Sequence, residues 1–307
     1  MNKILNYITK PKNIVLYLFN KAHFKFIPDK LYLKIKFRLE MGYKLDLDNP
    51  KTFSEKMQWL KLYDRKEIYI KMVDKYESKK IVERELGTKY VVPTYGIFNS
   101  FEEIDFDKLP TSFVIKCTHD SGGLVIVNDK EQLDYDLTKK KINKSLKRKY
   151  FYSHREWAYK NVKPRILIEK LLVNDNKEEV IEYNFFCFNG EPKFVMTCHG
   201  DKRIKRYNDF YDINFNKLKL KCIYDNSNII DTKPNNFQEM IEVSRKLSKN
   251  IPHLRVDLYV CNGNIYVGEL TFCHWAGFAK FEPEEWNYII GDYVDLTGIK
   301  ESKWKKK

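Results

Sequence analysis

The strongest constraint in this sequence is a strand–turn–strand pattern near its C-terminal end. Apolar residues alternate with Arg255 and Asp257 in the run RVDLYVC, and Glu269 and Thr271 occupy alternating positions in the returning run. A period of two predicts β-strands with one buried and one open face. The intervening Asn-Gly-Asn at 262–264 predicts a hairpin turn. The pattern therefore places polar side chains on two adjacent strands.

The length of that turn decides whether the two acids meet. With a three-residue loop at 262–264, Asp257 lies opposite Glu269, and Arg255 lies opposite Thr271 on the same face. Adjacent carboxylates repel unless a cation lies between them, and Mg²⁺ prefers such oxygen ligands together with substrate phosphates. A two-residue turn would move Glu269 to the other face. The alternative interpretation is a solvent-exposed strand face with an ordinary Arg–Glu pair.

A lysine near the end of an apolar run precedes a glycine-containing loop. Lys116 is followed by His-Asp-Ser-Gly-Gly at 119–123. A cation beside flexible backbone N–H groups can hold phosphates, although the loop lacks the P-loop pattern. The alternative is a plain hairpin turn. Lys75, next to a predicted helix cap at Asp74, is either a second phosphate cation or a solvated lysine.

Other charged residues are weaker candidates. Glu169 is a lone carboxylate in the apolar run RILIEKLL. It either accepts a hydrogen bond from an adenine amino group or faces water on an edge strand. Arg203 and Arg206 follow Gly200 in a polar loop, where arginine suits phosphate or carboxylate groups. A solvated basic loop is the alternative.

The order of predicted elements gives the fold class. Residues 1–70 have a helical pattern, and a D-x-x-E cap at Asp74 predicts a helix from Lys75 to Leu86, closed by Gly87. Strands are predicted at 90–93, 113–117, 124–127, 166–172, 180–188, 192–198, 255–261 and 265–270, and helices within 138–160 and 236–250. This order predicts an α+β protein with mostly antiparallel sheets.

Composition narrows the partners. The 307 residues are 43% apolar, which allows two or three packed subdomains, and the net charge is +14. The charge predicts an anionic partner, but no recognition helix, zinc finger or aromatic RNA-binding signature is found, so no nucleic acid partner is predicted. Scattered cysteines without C-x-x-C predict reduced thiols. Without a signal peptide or an apolar run of about 18 residues, a cytoplasmic protein is predicted. The Lys-rich residues 12–39 either contact the inner face of the membrane or cap the domain.

Several segments together resemble the TupA-like family of ATP-grasp enzymes, named for teichuronopeptide biosynthesis. They are VDKYESKKIV, LPTSFVIKCTHDSGG, REWAYKNVKPRILIEKLL, IEYNFFCFNGEPKF and RVDLYVCNGNIYVGELTFCHWAGFAKFEPEEW. They follow the family order from about residue 28 to residue 298. The resemblance implies an ATP-grasp fold, in which two α+β subdomains with antiparallel sheets clamp ATP. The division that follows is 1–70 for a basic helical region, 71–168 and 169–300 for the subdomains, and 301–307 for a basic tail.

The resemblance also implies roles for individual residues. Glu169 would face adenine beside a hinge at 170–172, Glu182 would bind the ribose, and the glycine loop would cover the phosphates. The implied cofactor-binding residues are Lys75, Lys116, Ser121, Gly122, Gly123, Glu169, Lys170, Leu172 and Glu182. The implied Mg²⁺ ligands are Asp257, Glu269 and Thr271, and the implied catalytic residues are Lys116, Arg255 and Arg203. Many ATP-grasp enzymes have Asn where Thr271 stands, so one or two Mg²⁺ ions remain open.

The implied function is an ATP- and Mg²⁺-dependent carboxylate–amine ligase. A carboxylate would attack the γ-phosphate, and an amine would displace phosphate from the resulting acyl phosphate. The family name implies that an amino acid or amine is attached to a cell-surface polysaccharide precursor, such as an acidic sugar. The alternatives are an ATP-grasp kinase or a glycosyltransferase of the same pathway, although no convincing D-x-D motif is found. A glycan-binding scaffold would need losses at Lys116, Asp257 or Glu269, and all three are present.

Overall fold

A computed structural model of the protein describes residues 11–21, 23–200 and 206–299. The helices are α1 (Pro11–Asn20), α2 (Asp29–Met41), α3 (Phe53–Tyr63), α4 (Ile68–Val73), α5 (Glu77–Leu86), α6 (Tyr135–Leu146), α7 (Phe151–His154), α8 (Phe237–Ser248) and α9 (Glu285–Tyr293). The strands are β1 (Thr94–Phe98), β2 (Phe113–Cys117), β3 (Leu124–Val127), β4 (Ile166–Glu169), β5 (Glu182–Phe188), β6 (Glu191–His199), β7 (Tyr207–Asp212), β8 (Lys221–Cys222), β9 (Leu254–Cys261), β10 (Asn264–Thr271) and β11 (Phe281–Glu282). The predicted basic tail, 301–307, lies outside the described residues.

The larger sheet has the strand order β10-β9-β5-β6-β7. Successive side chains of a strand point to opposite faces, so Phe185 and Phe186 enter different cores. On one face, α4, α5 and α8 pack against Val256 and Leu258. On the other face, α3 and α9 pack against Phe186 and Phe194. Helices therefore cover both faces, and any polar group on this sheet must lie where the helices leave a gap.

The smaller sheet has the strand order β1-β4-β2-β3. Helix α6 covers it through Ile142, which joins a core with Phe113 and Ile166. The named strand pairs of both sheets are antiparallel, so the predicted α+β class is confirmed. Within the described residues, no helix is both long and apolar enough to cross a bilayer.

A buried arginine joins the N-terminal helices to the rest of the protein. Arg155 is 1% exposed, and its guanidinium lies 3.0 Å from the Asp29 carboxylate. It also donates to the carbonyl oxygens of Phe24 and Ile27 at 2.9 and 3.1 Å, and it lies 3.9 Å from the centre of the Tyr32 ring. Its backbone has a left-handed φ of 57°, which ends α7. The chain after α7 is therefore pinned to α1, α2 and their connecting loop.

The C-terminal hairpin reaches the predicted pairing by a different route. Its turn contains two residues, Asn262 and Gly263, so the predicted three-residue loop is wrong. Both residues have positive φ, 49° and 73°, as a type I′ turn requires. A bulge at Gly268 then shifts the register by one residue, and Glu269 lies opposite Asp257 as predicted. The bulge at Gly268 therefore produces the pairing that the predicted three-residue loop was expected to produce.

The helix predicted from Lys75 begins two residues later, at Glu77. Asp74 accepts hydrogen bonds from the backbone N–H groups of Tyr76 and Glu77, as a cap does. The predicted capping box is nevertheless incomplete, because the Glu77 carboxylate binds Arg165 instead. The predicted end of the helix, before Gly87, is confirmed.

Two strand predictions were wrong in position. The residues 90–93 do not form a strand: a helical turn occupies Thr88–Tyr90, and β1 begins after Pro93, which has no N–H group to donate to a sheet. The strand predicted at 166–172 ends at Glu169. Strand β7 and helix α9 were not predicted.

Replacing Arg155 with Met should lower the free energy of unfolding by about 3 kcal/mol, because the change leaves a carboxylate and several carbonyl groups without their donor. Urea unfolding of the full chain measures this loss. Arg245→Met is the control, since its ion pairs with Glu191 and Glu242 lie on the surface and should contribute less than about 1 kcal/mol. Equal losses in the two variants would contradict the anchoring role of Arg155.

Candidate active site

A polar row crosses one face of the larger sheet where β5, β9 and β10 meet. Asn184, Asp257 and Glu269 hold paired positions on these strands, and Arg255 pairs with Thr271. Their alternation with core residues places all five on the face opposite α5 and α8. Here the helices leave a gap, and the row lines a cavity of about 380 Å³.

Arg255 donates to both carboxylate oxygens of Asp257 through Nε and Nη2, at 2.7 and 2.6 Å. Burial raises the pKa of Asp257 to about 7; Arg255 opposes this rise, and the carboxylates of Glu182 and Glu269 reinforce it. With its amide nitrogen turned toward the acids, Asn184 donates to Asp257 at 2.8 Å. Mutual repulsion among these carboxylates favours the binding of a further cation.

Lys75 connects this row to the glycine loop. Its ammonium lies 3.2 Å from Glu269 and donates to the carbonyl oxygen of Asp120 at 2.8 Å. Its backbone N–H donates to the carbonyl oxygen of Thr118 at 3.1 Å. Although burial acts to raise the pKa of Glu269, Lys75 and Arg255 hold it below its usual value. Lys75 thus offsets the negative charge of Glu269, as Arg255 offsets that of Asp257.

Glu169 forms a second charged centre with two lysines. It is 4% exposed and contacts Lys116 and Lys79, the latter at 2.7 Å. Since β4 lies between β1 and β2, the alternative of a water-facing acid on an edge strand is wrong. Burial acts to raise the pKa of Glu169, but the lysines hold it below its usual value. Lys79 was not predicted, although it lies one helical turn after Lys75.

The glycine loop is fixed at its base and open at its tip. Asp120 accepts from the backbone N–H of Gly123 at 3.2 Å and from the Ser145 hydroxyl at 2.5 Å. A Cβ atom on Gly123 would overlap the Ser145 side chain, so only glycine fits there. Ser121 and Gly122 are exposed, and Ser121 lines the cavity. The loop therefore brings one hydroxyl and exposed backbone to the polar row.

The remaining predicted residues lie at the edges of this arrangement. Lys170 is exposed and Leu172 is half-buried, in the extended segment that leaves β4. Glu182 lies at the polar row, where Arg206 binds it at 2.9 Å. Its ribose-binding role stays a prediction. Arg203 lies outside the described residues.

A histidine behind the row was not among the predicted site residues. A branch of the Arg255 guanidinium lies 2.6 Å from Nδ1 of His274. Burial holds the pKa of His274 well below its ordinary value, so the neutral ring can accept this hydrogen bond. Its Nε2 lies 3.7 Å from the sulfur of Cys222. The only signal in the sequence was a histidine a few residues after the acidic hairpin.

The oxygen donors of the row suit a hard divalent cation. Asp257 and Glu269 supply carboxylates from adjacent strands, and the Thr271 hydroxyl, which accepts from Arg255 at 3.3 Å, lies beside them. Mg²⁺ binds to such oxygens and keeps positions for phosphate and water. The donor set therefore fits the predicted ion.

A second compact group of possible metal ligands contains His199, Asp209 and Asp231. Its carboxylates already have protein partners: Asp231 accepts from Thr197 at 2.6 Å, and Asp209 lies 2.8 Å from the Lys217 ammonium. This group is an internal network, and it contributes no residue to the cavity.

Another wall of the cavity comes from the chain between α6 and β4. Tyr150, Glu156 and Tyr159 line it, and Glu156 is 6% exposed. Burial raises the pKa of Glu156 to about 7, against the nearby charge of Lys61. Sequence analysis did not single out this acid, since REWAY carries no pattern that separates a buried acid from a surface one.

A family profile described as TupA-like ATP-grasp matches residues 55–295. No curated protein matches the chain.

The solved structures that resemble the chain are distant. The D-alanine–D-alanine ligase from Bacillus anthracis complexed with ATP is 20% identical, with a TM-score of 0.40 over 66% of this chain and 53% of that one. The D-alanine–D-alanine ligase from Helicobacter pylori is 15% identical, with a TM-score of 0.43 over 80% and 67%. The ATP-grasp ligase PsnB complexed with minimal precursor is 8% identical, with a TM-score of 0.39 over 72% and 59%. The chain thus spans between about half and two thirds of the length of these structures.

The free energy of unfolding of Glu156→Gln should increase relative to that of the wild-type protein as pH rises from about 4.5 to about 7. Because the folded-state pKa lies above the unfolded one, the unfolded chain loses this proton first and wild-type stability falls with pH in that window. Glutamine does not titrate. Thermal unfolding of both proteins at about pH 5 and about pH 8 measures the difference, with Glu83→Gln on the exposed side of α5 as the control. A difference that does not change with pH would contradict this account.

Proposed function

The chain belongs to the TupA-like ATP-grasp family, and from that premise we propose that it is an ATP- and Mg²⁺-dependent ligase that joins a carboxylate to an amine through an acyl phosphate. One observation carries the proposal. The paired acids Asp257 and Glu269 line a cavity together with Arg255, and the Lys75 ammonium, from a distant part of the chain, contacts Glu269 at 3.2 Å. Such convergence of acids and cations suits Mg²⁺ and a polyphosphate.

In this proposal ATP lies between the two charged centres. The adenine end lies by Glu169 and the segment that contains Lys170 and Leu172, and the phosphates extend toward the polar row. Lys116 and Lys75 neutralise phosphate oxygens. Before ATP binds, their ion pairs with Glu169 and Glu269 keep both ammonium groups in place. Exchange of a carboxylate partner for a phosphate would cost little reorganisation, because each ammonium group is already held by its ion pair.

Asp257, Glu269 and Thr271 would hold Mg²⁺, which neutralises charge on the transferring phosphoryl group when bound. Arg255 would then release one branch of its contact with Asp257 toward that group. His274 accepts a hydrogen bond from Nη1 of Arg255 and so holds the guanidinium in place.

The glycine loop would exclude water from the acyl phosphate. Ser121 and Gly122 form its tip, Gly123 lies at its base, and the anchoring of that base by Asp120 leaves the tip free to close. Glu182 would bind the ribose hydroxyls, and Arg203 would assist the transfer. Water exclusion matters because the intermediate would otherwise hydrolyse before the amine arrives.

We also propose that the substrates are an acidic sugar or glycan precursor and an amino acid or other amine. The net charge of +14 supports an anionic substrate, and the family name supports a role in polysaccharide biosynthesis. A cytoplasmic position at the inner face of the membrane would follow from a lipid-linked precursor. The subdomain division at 71–168 and 169–300 is likewise a proposal. Helix α5 packs in the core of the larger sheet, so a boundary near residue 88 suits the packing better.

Asp257→Asn and Lys116→Ala should each lower ADP release by about 100-fold or more, because the first removes a charged Mg²⁺ ligand and the second removes a cation that neutralises phosphate oxygens. Thermal unfolding should show that both variants remain folded. Lys89→Ala is the control, since this lysine is 70% exposed and pairs with Glu239 at the surface. Unchanged ADP release in either site variant would mean that the ATP site lies elsewhere.

Product analysis separates the ligase from its alternatives. With Mg²⁺, ATP, uronic acid sugars and amino acids, the expected products are ADP, phosphate and an amide. A phosphorylated acceptor without amide would identify a kinase. Glycosyl transfer without ADP would rule out the ligase.

A further inference from the structure

We propose that Glu156 is the base that takes a proton from the acceptor amine, and that the amine binds against the wall formed by Tyr150, Glu156 and Tyr159. The inference rests on the ligase proposed above. It adds the class of group that this wall recognises, a protonated primary amine, and the residue that makes it nucleophilic.

Ion pairing distinguishes Glu156 from the other acids of the cavity. Asp257 is bound by Arg255, Glu269 by Lys75, and Glu182 by Arg206. Among the ion pairs of residues 11–21, 23–200 and 206–299, none includes Glu156. A buried carboxylate without a cation at contact distance is costly, and an incoming ammonium group would supply the missing partner.

The surroundings of Glu156 keep the carboxylate poised between its two protonation states. Tyr150 hydrogen bonds to it, and the positive charges of Lys61 and Lys36 and the negative charge of Glu269 act on it from a distance. Tyr159 and Cys273 also face this region, and Glu156 influences the pKa of each. Lys61 is engaged by Gln58 at 2.8 Å and by the carbonyl oxygen of Ala276 at 2.6 Å. Lys36 is engaged by Asn20 at 2.7 Å and by the carbonyl oxygen of Ser153 at 2.8 Å. Neither Lys61 nor Lys36 therefore forms an ion pair with Glu156.

A base is required because a primary amine is protonated at neutral pH and has no lone pair to attack with. The best catalytic base has a pKa near the working pH. Burial places the pKa of Glu156 at about 7, which supports the role that the geometry assigns.

The position of Glu156 is fixed by its neighbour in the chain. Arg155 is held by Asp29 and by the carbonyl oxygens of Phe24 and Ile27. Its left-handed backbone turns the next residue toward the cavity. A base held in this way meets the amine without first having to be ordered.

The proposed step balances as follows. The ammonium group gives one proton to Glu156, and the free amine forms a bond to the acyl carbon. The bond between that carbon and the phosphate oxygen breaks, and the electron pair leaves with phosphate. The second proton of the nitrogen passes to the departing phosphate, and Glu156 returns its proton to solvent.

The experiment compares two acceptors in the wild-type protein and in Glu156→Gln. With ATP, Mg²⁺ and a set of uronic acids, hydroxylamine traps the acyl phosphate as a hydroxamate, and it needs no base because it is largely unprotonated at neutral pH. Amino acids in the same mixtures need the base. We expect hydroxamate formation in the variant to stay within about threefold of wild type, and amide formation to fall by about 100-fold or more.

A pH profile gives the second readout. Wild-type amide formation should rise with pH through about 7, and the variant should lack this rise. Glu83→Gln on the exposed side of α5 is the matched control and should behave as wild type in both assays. A purely structural acid would not move the profile while sparing the hydroxamate.

Each other outcome overturns the inference in a recognisable way. Equal loss of hydroxamate and amide would make Glu156 a structural acid or part of the phosphate site. Wild-type rates of both would remove it from the reaction. Absence of ADP and hydroxamate from the wild-type protein itself would overturn the proposed ligase, and the role of Glu156 with it.

Discussion

The ion pair between Lys75 and Glu269 is the contact on which the site depends. Lys75 also donates to the glycine loop at Asp120, so one ammonium group joins the start of α5, the β2–β3 hairpin and the β9–β10 hairpin. These segments belong to different hydrophobic cores. Lys75 contacts both the polar row and the loop, and so joins elements of the two cores. The acid and the cation meet in a partly buried place, where the Lys75 side chain is 15% exposed and that of Glu269 33%.

Other acids of the proposed site also have cationic partners. Glu169 has two lysines, Asp257 has an arginine, and Glu182 has Arg206. Paired charges of this kind contribute little to stability when both are buried, because desolvation offsets their attraction. They keep cations aimed at a common space, and a polyphosphate with its metal ion could replace the carboxylate partners one at a time. The arrangement is thus better explained by binding than by folding.

The acidic hairpin shows which structural features could be predicted from the alternation of polar and apolar residues and which could not. Alternation fixed the faces of β9 and β10, and the pairing of Asp257 with Glu269 was predicted correctly. The turn length was not, because two compensating irregularities, a short Asn-Gly turn and a bulge at Gly268, leave the same residues opposite each other. A glycine in a strand can signal a bulge, but the sequence alone does not say whether the register moves. Lys79 was missed because its partner Glu169 is distant in sequence, and Glu156 was missed because burial of a single charge leaves no periodic trace.

The anchoring of Arg155 has a consequence for the extent of the functional unit. The family profile begins at residue 55, yet the groups that hold this arginine, at Phe24, Ile27 and Asp29, all precede it. A chain trimmed to the matched region would keep both sheets, while the segment that carries Glu156 would lose its tether and expose a cation made for burial. The first helices of this protein are therefore not an appendage of the catalytic fold. They hold in place the segment that carries Glu156, and any exchange of domains with a relative would have to carry them along.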